Sequence, residues 1–389
     1  MNTSLETIVL AEAVHARASD IHIDPLIDGY SVRMRIDGNL VLWKNVNRPT
    51  GDKLINQIKA DAGIETGTVF HPVGERRRLN VDGEEIDLRI TLAPCISGPK
   101  MAIRILDPRQ VKHDLPSLGL TKIQTDQFQH WLSDLNGMIL VTGPTASGKT
   151  TTLYALLHEL AEDSRHVVTV EDPVEYQIDG INQIEVDERH DLDFAEGVST
   201  SLRLDPDCLM VGEIREGTVA SQAVAASIQG HVVMATMHSR DAASAITRLN
   251  NFGVTNHQIA TALGVVVNQR LIRRLCQKCQ STRPPTDLEN SFLSIHNRED
   301  LKEVPFSTGC DSCQGSGFKG RTGLFQVWNL DRTDYEMILA GADEDAIRSR
   351  RLQAGSPELV DHALSLIEQG VTSLREVMHL GLSLPWENK

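Results

Sequence analysis

The chain has 389 residues, 40% of them hydrophobic, enough for two or three cores, because single cores stop growing at about 250–300 residues. Its 38 basic and 53 acidic residues leave a net charge of −15, which repels phosphate backbones and disfavours a nucleic-acid motor, a local basic groove apart. The start MNTSLETIVLAEA has no basic n-region or long apolar run, and the longest uncharged segment, 221–239, is broken by Gln222, Gln229, Gly230 and two histidines; neither a signal peptide nor a membrane span is expected, and the cytoplasm is the expected compartment.

Residues 4–18 place Leu5, Ile8, Val9 and Ala13 on roughly one side, predicting an amphipathic helix that ends near Ser19 and Asp20. Alternating strands follow. In 30-YSVRMRIDGNLVLW-43 two period-2 runs flank Asp37-Gly38, the form of a tight hairpin; 77-RRLNVDGEEIDLRITLAP-94 repeats this about Asp82-Gly83, and 100-KMAIRIL-106 predicts another strand. Residues 1–110 therefore read as an α+β domain. Pro108 and Pro116 bracket a polar segment, read as a linker over 111–119.

Beyond residue 120 the pattern changes to short apolar runs separated by helical stretches: 138-MILVT-142, 166-HVVTV-170, 208-CLMVG-212 and 231-HVVMATM-237. Such runs suit strands buried on both faces of a parallel sheet. Their carboxyl ends carry Gly143 to Thr150, Glu171-Asp172, Glu213 and His238, and in open α/β sheets the ligand lies beyond those ends. Residues 120–272 are thus expected to form a nucleotide domain.

The segment 143-GPTASGKTT-151 meets the P-loop pattern through Gly143, Gly148, Lys149 and Thr150, after a predicted strand and before a helix with Leu153, Leu156, Leu157 and Leu160 on one face. Pro144, Thr145, Ala146 and Ser147 to Thr151 are expected to bind ATP, with the backbone N–H groups after Pro144, which has none, wrapping the phosphates. Lys149 would reach the β/γ oxygens and Thr150 would hold Mg²⁺. Glu213 suits a base that polarises the attacking water, against a strand-end glutamate that pairs with Arg215. Glu171 suits positioning of water or Mg²⁺, against a turn residue before Pro173. His238 suits a γ-phosphate or intersubunit sensor, against a satisfied structural histidine. His231 lies at the wrong end of its strand for a ligand.

Of six cysteines, Cys95 and Cys208 read as packing residues. Cys276-Gln-Lys-Cys279 and Cys310-Asp-Ser-Cys313 match a tetrahedral Cys₄ zinc site, closed and therefore structural. Residues 273–325 are poor in apolar side chains, so the metal is expected to fold them as a subdomain, with a helical region over 326–389.

Together these residues make the chain similar to the secretion ATPase superfamily, specifically the assembly motors of type II secretion systems and type IV pili. The motifs run from 18-ASDIHIDP-25 and 32-VRMRIDG-38 through the P-loop, 169-TVEDPVEY-176, 205-DPDCLMVGEIRE-216 and 230-GHVVMATMHSRDAASAITRL-249 to 269-QRLIRRLC-276 and 317-GFKGRTG-323. The resemblance implies a PAS-like first domain that closes over a RecA-like domain in a homohexamer. Arg89 in 87-DLR-89 and Arg104 in 103-IRILD-107 would reach towards the γ-phosphate, with Arg203, Arg215 and Arg321 as further nucleotide or intersubunit contacts. It implies mechanical work on a polytopic inner-membrane platform protein alongside other secretion or pilus components, peripheral attachment to the inner membrane through those partners, and no stable nucleic-acid partner. A retraction motor would usually lack the four cysteines; a DNA-transport or conjugation ATPase predicts basic surface; a non-hydrolysing scaffold conflicts with intact Lys149, Thr150 and Glu213.

Four departures from the family pattern stand out. Ala146 replaces the usual third loop glycine, tolerable if that position avoids positive φ. Ser199 stands where an arginine is general, and a P-Q-D-G segment is shortened to 72-PVG-74. Residue 1 falls almost at the first helix, so the expectation is either recruitment directly at the platform protein or a sequence that is a piece of a longer chain with a separate docking domain.

Overall fold

Helix α1 (Leu5–His15) starts at Ser4, whose hydroxyl accepts the Thr7 N–H, and it is shorter than its periodicity predicts because Arg17 turns to φ +57° and Ala18 already opens β1 (Ala18–Pro25). Its buried stripe is Val9, Leu10, Ala13 and Val14, while Ile8 is 37% exposed. Glu6 is buried in its place, its carboxylate paired with Arg77. The computed structural model describes residues 4–67, 70–107, 109, 114–161 and 165–381, and the chain divides into two units, Met1–Val111 and Lys112–Lys389. Pro108, Gln110 and the first three residues of the expected linker, 111–113, lie outside the described residues.

In the first unit β2 (Gly29–Ile36) and β3 (Asn39–Asn47) form the first expected hairpin, and β4 (Val73–Val81) and β5 (Glu84–Cys95) the second. Both turns place Asp-Gly at positive φ, +47° and +89° for Asp37-Gly38, +55° and +88° for Asp82-Gly83, which matches the twist of the flanking strands. With β6 (Gly98–Leu106) they make a six-stranded sheet ordered β3-β2-β1-β6-β5-β4. Ile21, Ile23, Val32, Leu88, Ile90 and Ile103 cover its inner face against α1 and α2 (Arg48–Asp61). The segment 72–74 leads straight into β4. Cys95 is exposed at the end of β5, not packed as expected; Cys208 is buried.

In the second unit Leu115 and Leu118 are buried in a short 3-10 turn, so the end of the expected linker is packed structure. Then come α3 (Lys122–Asp134), β7 (Met138–Thr142), α4 (Lys149–Ala161), β8 (Val167–Glu171), β9 (Asn182–Glu185), α5 (Phe194–Leu202), β10 (Cys208–Val211), α6 (Gly217–Ile228), β11 (Val232–Met237), α7 (Ala242–Asn251) and α8 (Asn256–Ala262). The chain continues as β12 (Leu263–Leu275), β13 (Gln280–Arg283), α9 (Asp287–Ile295), β14 (Val304–Ser307), β15 (Phe318–Asn329), α10 (Arg332–Leu339), α11 (Glu344–Gln353), α12 (Leu359–Glu368) and α13 (Leu374–His379). The seven-stranded sheet runs β15-β12-β7-β11-β10-β8-β9, with β15 antiparallel and the other pairs parallel. Every residue of β7, β8, β10 and β11 is buried, as their almost wholly apolar composition predicts.

Strands β12 and β15 run unbroken through positions 272/273 and 325/326. The cysteine-bearing segment also has more core than its composition suggested: Phe292, Leu293 and Val304 pack with Leu359, Leu364 and Ile367 of α12. Among the described residues no helix is long and apolar enough to cross a membrane.

Candidate functional site

The P-loop leaves β7 at Thr142 and enters α4 at Lys149. Two of its glycines are fixed by close approach. A Cβ on Gly143 would meet the Gln269 carbonyl oxygen at 2.4 Å, and one on Gly148 would meet Gln269 Nε2 at 2.9 Å. Gln269 is itself held at 2.8 Å by the Thr152 hydroxyl, so β12 forms the floor of the loop. Pro144, Thr145 and Ala146 make its exposed rim, Thr150 and Thr151 are half-buried in the first turn of α4, and Ser147 is buried with no protein partner for its hydroxyl among the described residues. The first-turn N–H groups of α4 add the positive end of a helix dipole. Ala146 does not avoid positive φ: at φ +61° it sits in the left-handed region, where a side chain costs about 1 kcal/mol relative to glycine.

Lys149 Nζ donates to the carbonyls of Gly143 and Pro144, each at 3.1 Å, and lies 3.4 Å from His238 Nδ1. Burial pulls its ammonium below the ordinary lysine value; Glu213 opposes this and Arg270 adds to it. His238 Nδ1 is also 3.0 Å from the Gly143 carbonyl, and its Nε2 is 2.9 Å from Glu213 Oε1. Glu213 Oε2 accepts from Arg215 at 2.9 Å, and Arg215 reaches Asp172 at 3.6 Å. Glu213 therefore meets the site and Arg215 together. These side chains hang from β7, β11 and β10, neighbours in the sheet, at their carboxyl ends.

Glu171 is placed otherwise. Its carboxylate is 2% exposed and accepts from Thr169 at 2.6 Å, from Gln183 at 3.1 Å and from the Tyr154 hydroxyl. Burial raises its pKa against the opposing hydrogen bonds, and the Tyr154 hydroxyl is pushed up by burial and by Glu171. The glutamate thus fastens α4 to β8 and β9 in the interior. His231 bonds the Ala226 carbonyl at 3.0 Å, away from the site as expected. Arg203 is spent on Ser199, Thr200 and Glu196, the Ser199 hydroxyl accepting from it at 3.2 Å. Arg321 stands opposite Arg273 on the β12–β15 ladder, well beyond Gln269 along β12.

In the first unit Arg89 and Arg104 are direct cross-strand partners on the polar face of the sheet, in one row with Arg35, Asp20 and Arg76. Arg104 donates to Asp20 at 3.2 Å. Alternation with the buried Ile86, Leu88, Ile90, Ile103 and Ile105 puts both arginines there.

The four cysteines of the two knuckles converge, their sulfurs within 4.8 Å of one another. Three S–S separations, Cys276–Cys310, Cys279–Cys313 and Cys310–Cys313, are 3.8 Å each. A tetrahedron with metal–sulfur bonds of about 2.3 Å has edges of about 3.8 Å, so the cluster fits a zinc-sized ion. Cys313 Sγ accepts the N–H groups of Cys310 at 3.2 Å and Gly317 at 3.3 Å. Burial would raise its thiol, yet these bonds hold it down to about 6, while burial pushes Cys279 up to about 11.

Motif reading had not singled out Asn268 or Arg270. Arg270 is one of three arginines in QRLIRRLC, and only the register of β12 on β7, with Asn268 opposite Thr142, shows which of them borders the loop.

The family described as "Type II/IV secretion system protein" matches residues 2–379. Type II secretion system ATPase E of Vibrio cholerae is 38% identical over 372 residues, covering 96% of this chain and 74% of that protein. Type IV pilus assembly ATPase PilB of Acinetobacter baylyi is 36% identical over 375 residues, 95% of this chain and 64% of that protein. Among solved structures, the ATPase DotB of Legionella pneumophila superposes with a TM-score of 0.71 at 20% identity, covering 96% of this chain and 94% of that one; at that identity the likeness speaks for the fold.

Proposed function

This chain belongs to the type II/IV secretion system protein family and is an ATPase, and on that premise we propose that hydrolysis at its P-loop powers assembly of a type IV pilus or a type II secretion pseudopilus. The observation that carries the reading is the continuous contact from Lys149 through His238 to Glu213 across the carboxyl ends of three adjacent strands. In this reading the loop N–H groups from Thr145 to Thr151 wrap the phosphates of ATP, Lys149 exchanges its carbonyl contacts for the β/γ oxygens, and Thr150 would hold Mg²⁺. Glu213 takes a proton from the water that attacks the γ-phosphorus, and ADP departs as the leaving group. His238, bonded to both Gly143 and Glu213, ties the carboxylate to the loop that holds the phosphate. Arg215 holds the other carboxylate oxygen.

Arg89 and Arg104 remain proposed nucleotide ligands; the support is their side-by-side placement on a polar sheet face that carries more arginine than carboxylate. The cysteine cluster is read as a structural zinc site, supported by its tetrahedral dimensions and by the N–H bonds to Cys313. A homohexamer, a polytopic platform protein as partner and attachment to the inner membrane through partners complete the proposal; the relatives' names support the coarser reading of a part in a secretion or pilus machine. Phosphate release from Mg·ATP by the purified chain, and its loss in Lys149→Ala together with filament assembly, tests the reading. Release at the parent rate by Lys149→Ala would place hydrolysis elsewhere.

A further inference from the structure

The loop between β11 and α7, residues 238–241, is anchored from three sides. It opens with His238 of the phosphate site. Its third residue, Arg240, presents a backbone carbonyl that accepts two side-chain N–H groups from β12, Asn268 Nδ2 at 3.0 Å and Arg270 Nη2 at 2.8 Å. Its last, Asp241, caps α7 by accepting the Ser244 N–H at 2.8 Å and lies 2.7 Å from Arg348 of α11.

The hydrolysis scheme leaves Arg270 without a task. Its Nη1 donates to the Gln269 carbonyl at 3.0 Å and to Asn268 Oδ1 at 3.2 Å, and among the described residues no carboxylate lies at ion-pair distance from it, Asp241 acting only as a nearby charge. A planar guanidinium given over to main-chain and amide oxygens fixes direction more than it balances charge. What it fixes is specific. Asn268 also donates to the Thr142 hydroxyl at 3.3 Å, and the Gln269 carbonyl that accepts from Arg270 is the one Gly143 packs against. The P-loop and the His238 loop therefore take their positions from the same short stretch of β12.

We infer that Arg270 is a positioning residue for hydrolysis: by holding the Arg240 carbonyl to β12 it keeps His238 seated against Gly143 and Glu213. The inference rests on the reading of His238 and Glu213 given above. Without Arg270 the carbonyl keeps one donor, Asn268, and the His238 ring drifts from Glu213 for part of the time. Lys149 keeps its contacts with the Gly143 and Pro144 carbonyls and loses only a neighbouring charge that lowers its pKa, so the phosphate grip is kept and the loss falls on kcat.

The test is a double-mutant cycle on the full chain, with ATP turnover and ADP binding measured for Arg270→Ala, Arg270→Lys, His238→Ala and the Arg270→Ala/His238→Ala pair. Arg270→Ala is expected to lower kcat about 10- to 100-fold, the scale of a small misplacement, with KM and ADP affinity within about threefold. Arg270→Lys, which restores one donor, should recover most of the loss, and it carries the same cycle if thermal unfolding shows that the alanine variant does not fold. The paired variant should be no slower than His238→Ala alone, because Arg270 acts through that ring. Losses that multiply, or a raised KM at unchanged kcat, overturn the inference. Wild-type turnover in His238→Ala overturns the underlying reading of the site, and the inference with it, and is distinguished by that single variant.

Discussion

His238 Nε2 lies 2.9 Å from Glu213 Oε1, and the same ring's Nδ1 lies 3.0 Å from the Gly143 carbonyl, so one side chain joins the carboxylate at the end of β10 to the loop at the end of β7.

Ala146 occupies a left-handed conformation that glycine adopts freely. Ala146→Gly should therefore stabilise the folded loop by about 1 kcal/mol, less what glycine's added freedom in the unfolded chain removes. A small gain in ADP affinity, or in unfolding midpoint with ADP bound, is the expected result. A loss in both would show that the strain is absent.

Glu171 accepts three side-chain donors in the interior, so Glu171→Ala leaves the Tyr154 and Thr169 hydroxyls and the Gln183 amide without their acceptor. The expected effect is a loss of about 2–4 kcal/mol in unfolding free energy. Denaturant unfolding measures it. An unchanged midpoint alongside lost turnover would instead return Glu171 to the reaction itself.

One zinc per chain should be found in protein purified without chelator. Metal binding displaces thiol protons, so affinity should fall as pH falls, and Cys313, held down to about 6, should take up a proton only after Cys279, pushed up to about 11. Because Phe292, Leu293 and Val304 pack against α12, Cys313→Ser should loosen the knuckles and lower the unfolding midpoint without emptying the P-loop. Metal analysis that finds no zinc counts directly against the site.

Arg89→Ala and Arg104→Ala should each keep ATP affinity within about tenfold, since Lys149 and the loop N–H groups remain, yet lose most turnover and all filament assembly. Full activity and normal filaments in the double variant would remove both arginines from the nucleotide's ligands.

The sequence was most legible where local chemistry and tertiary burial agree. Both Asp-Gly hairpins and the almost wholly apolar strands β7, β8, β10 and β11 stand where their patterns put them, because twist-matched turns and double-sided burial leave little choice. Glu213 and His238 were legible for the same reason, being the first polar residues past buried strands. Glu171 shares that position, yet its carboxylate turns inward, because Tyr154 and Gln183, distant in sequence, offer it donors. Periodicity alone gave α1 the wrong buried stripe: Arg77 supplies a charge partner that brings Glu6 inside and leaves Ile8 at the surface. The cysteine segment looked coreless because half of its core comes from α12.

The central claim is that Glu213 is the base of an ATPase whose nucleotide is held independently of it. Turnover and Mg·ATP binding, measured side by side on the parent chain and Glu213→Gln, test it most directly. The account predicts that the variant binds Mg·ATP within about threefold of the parent while hydrolysis falls by roughly two to four orders of magnitude, the range for a positioned base. Parent-like turnover in Glu213→Gln would contradict it.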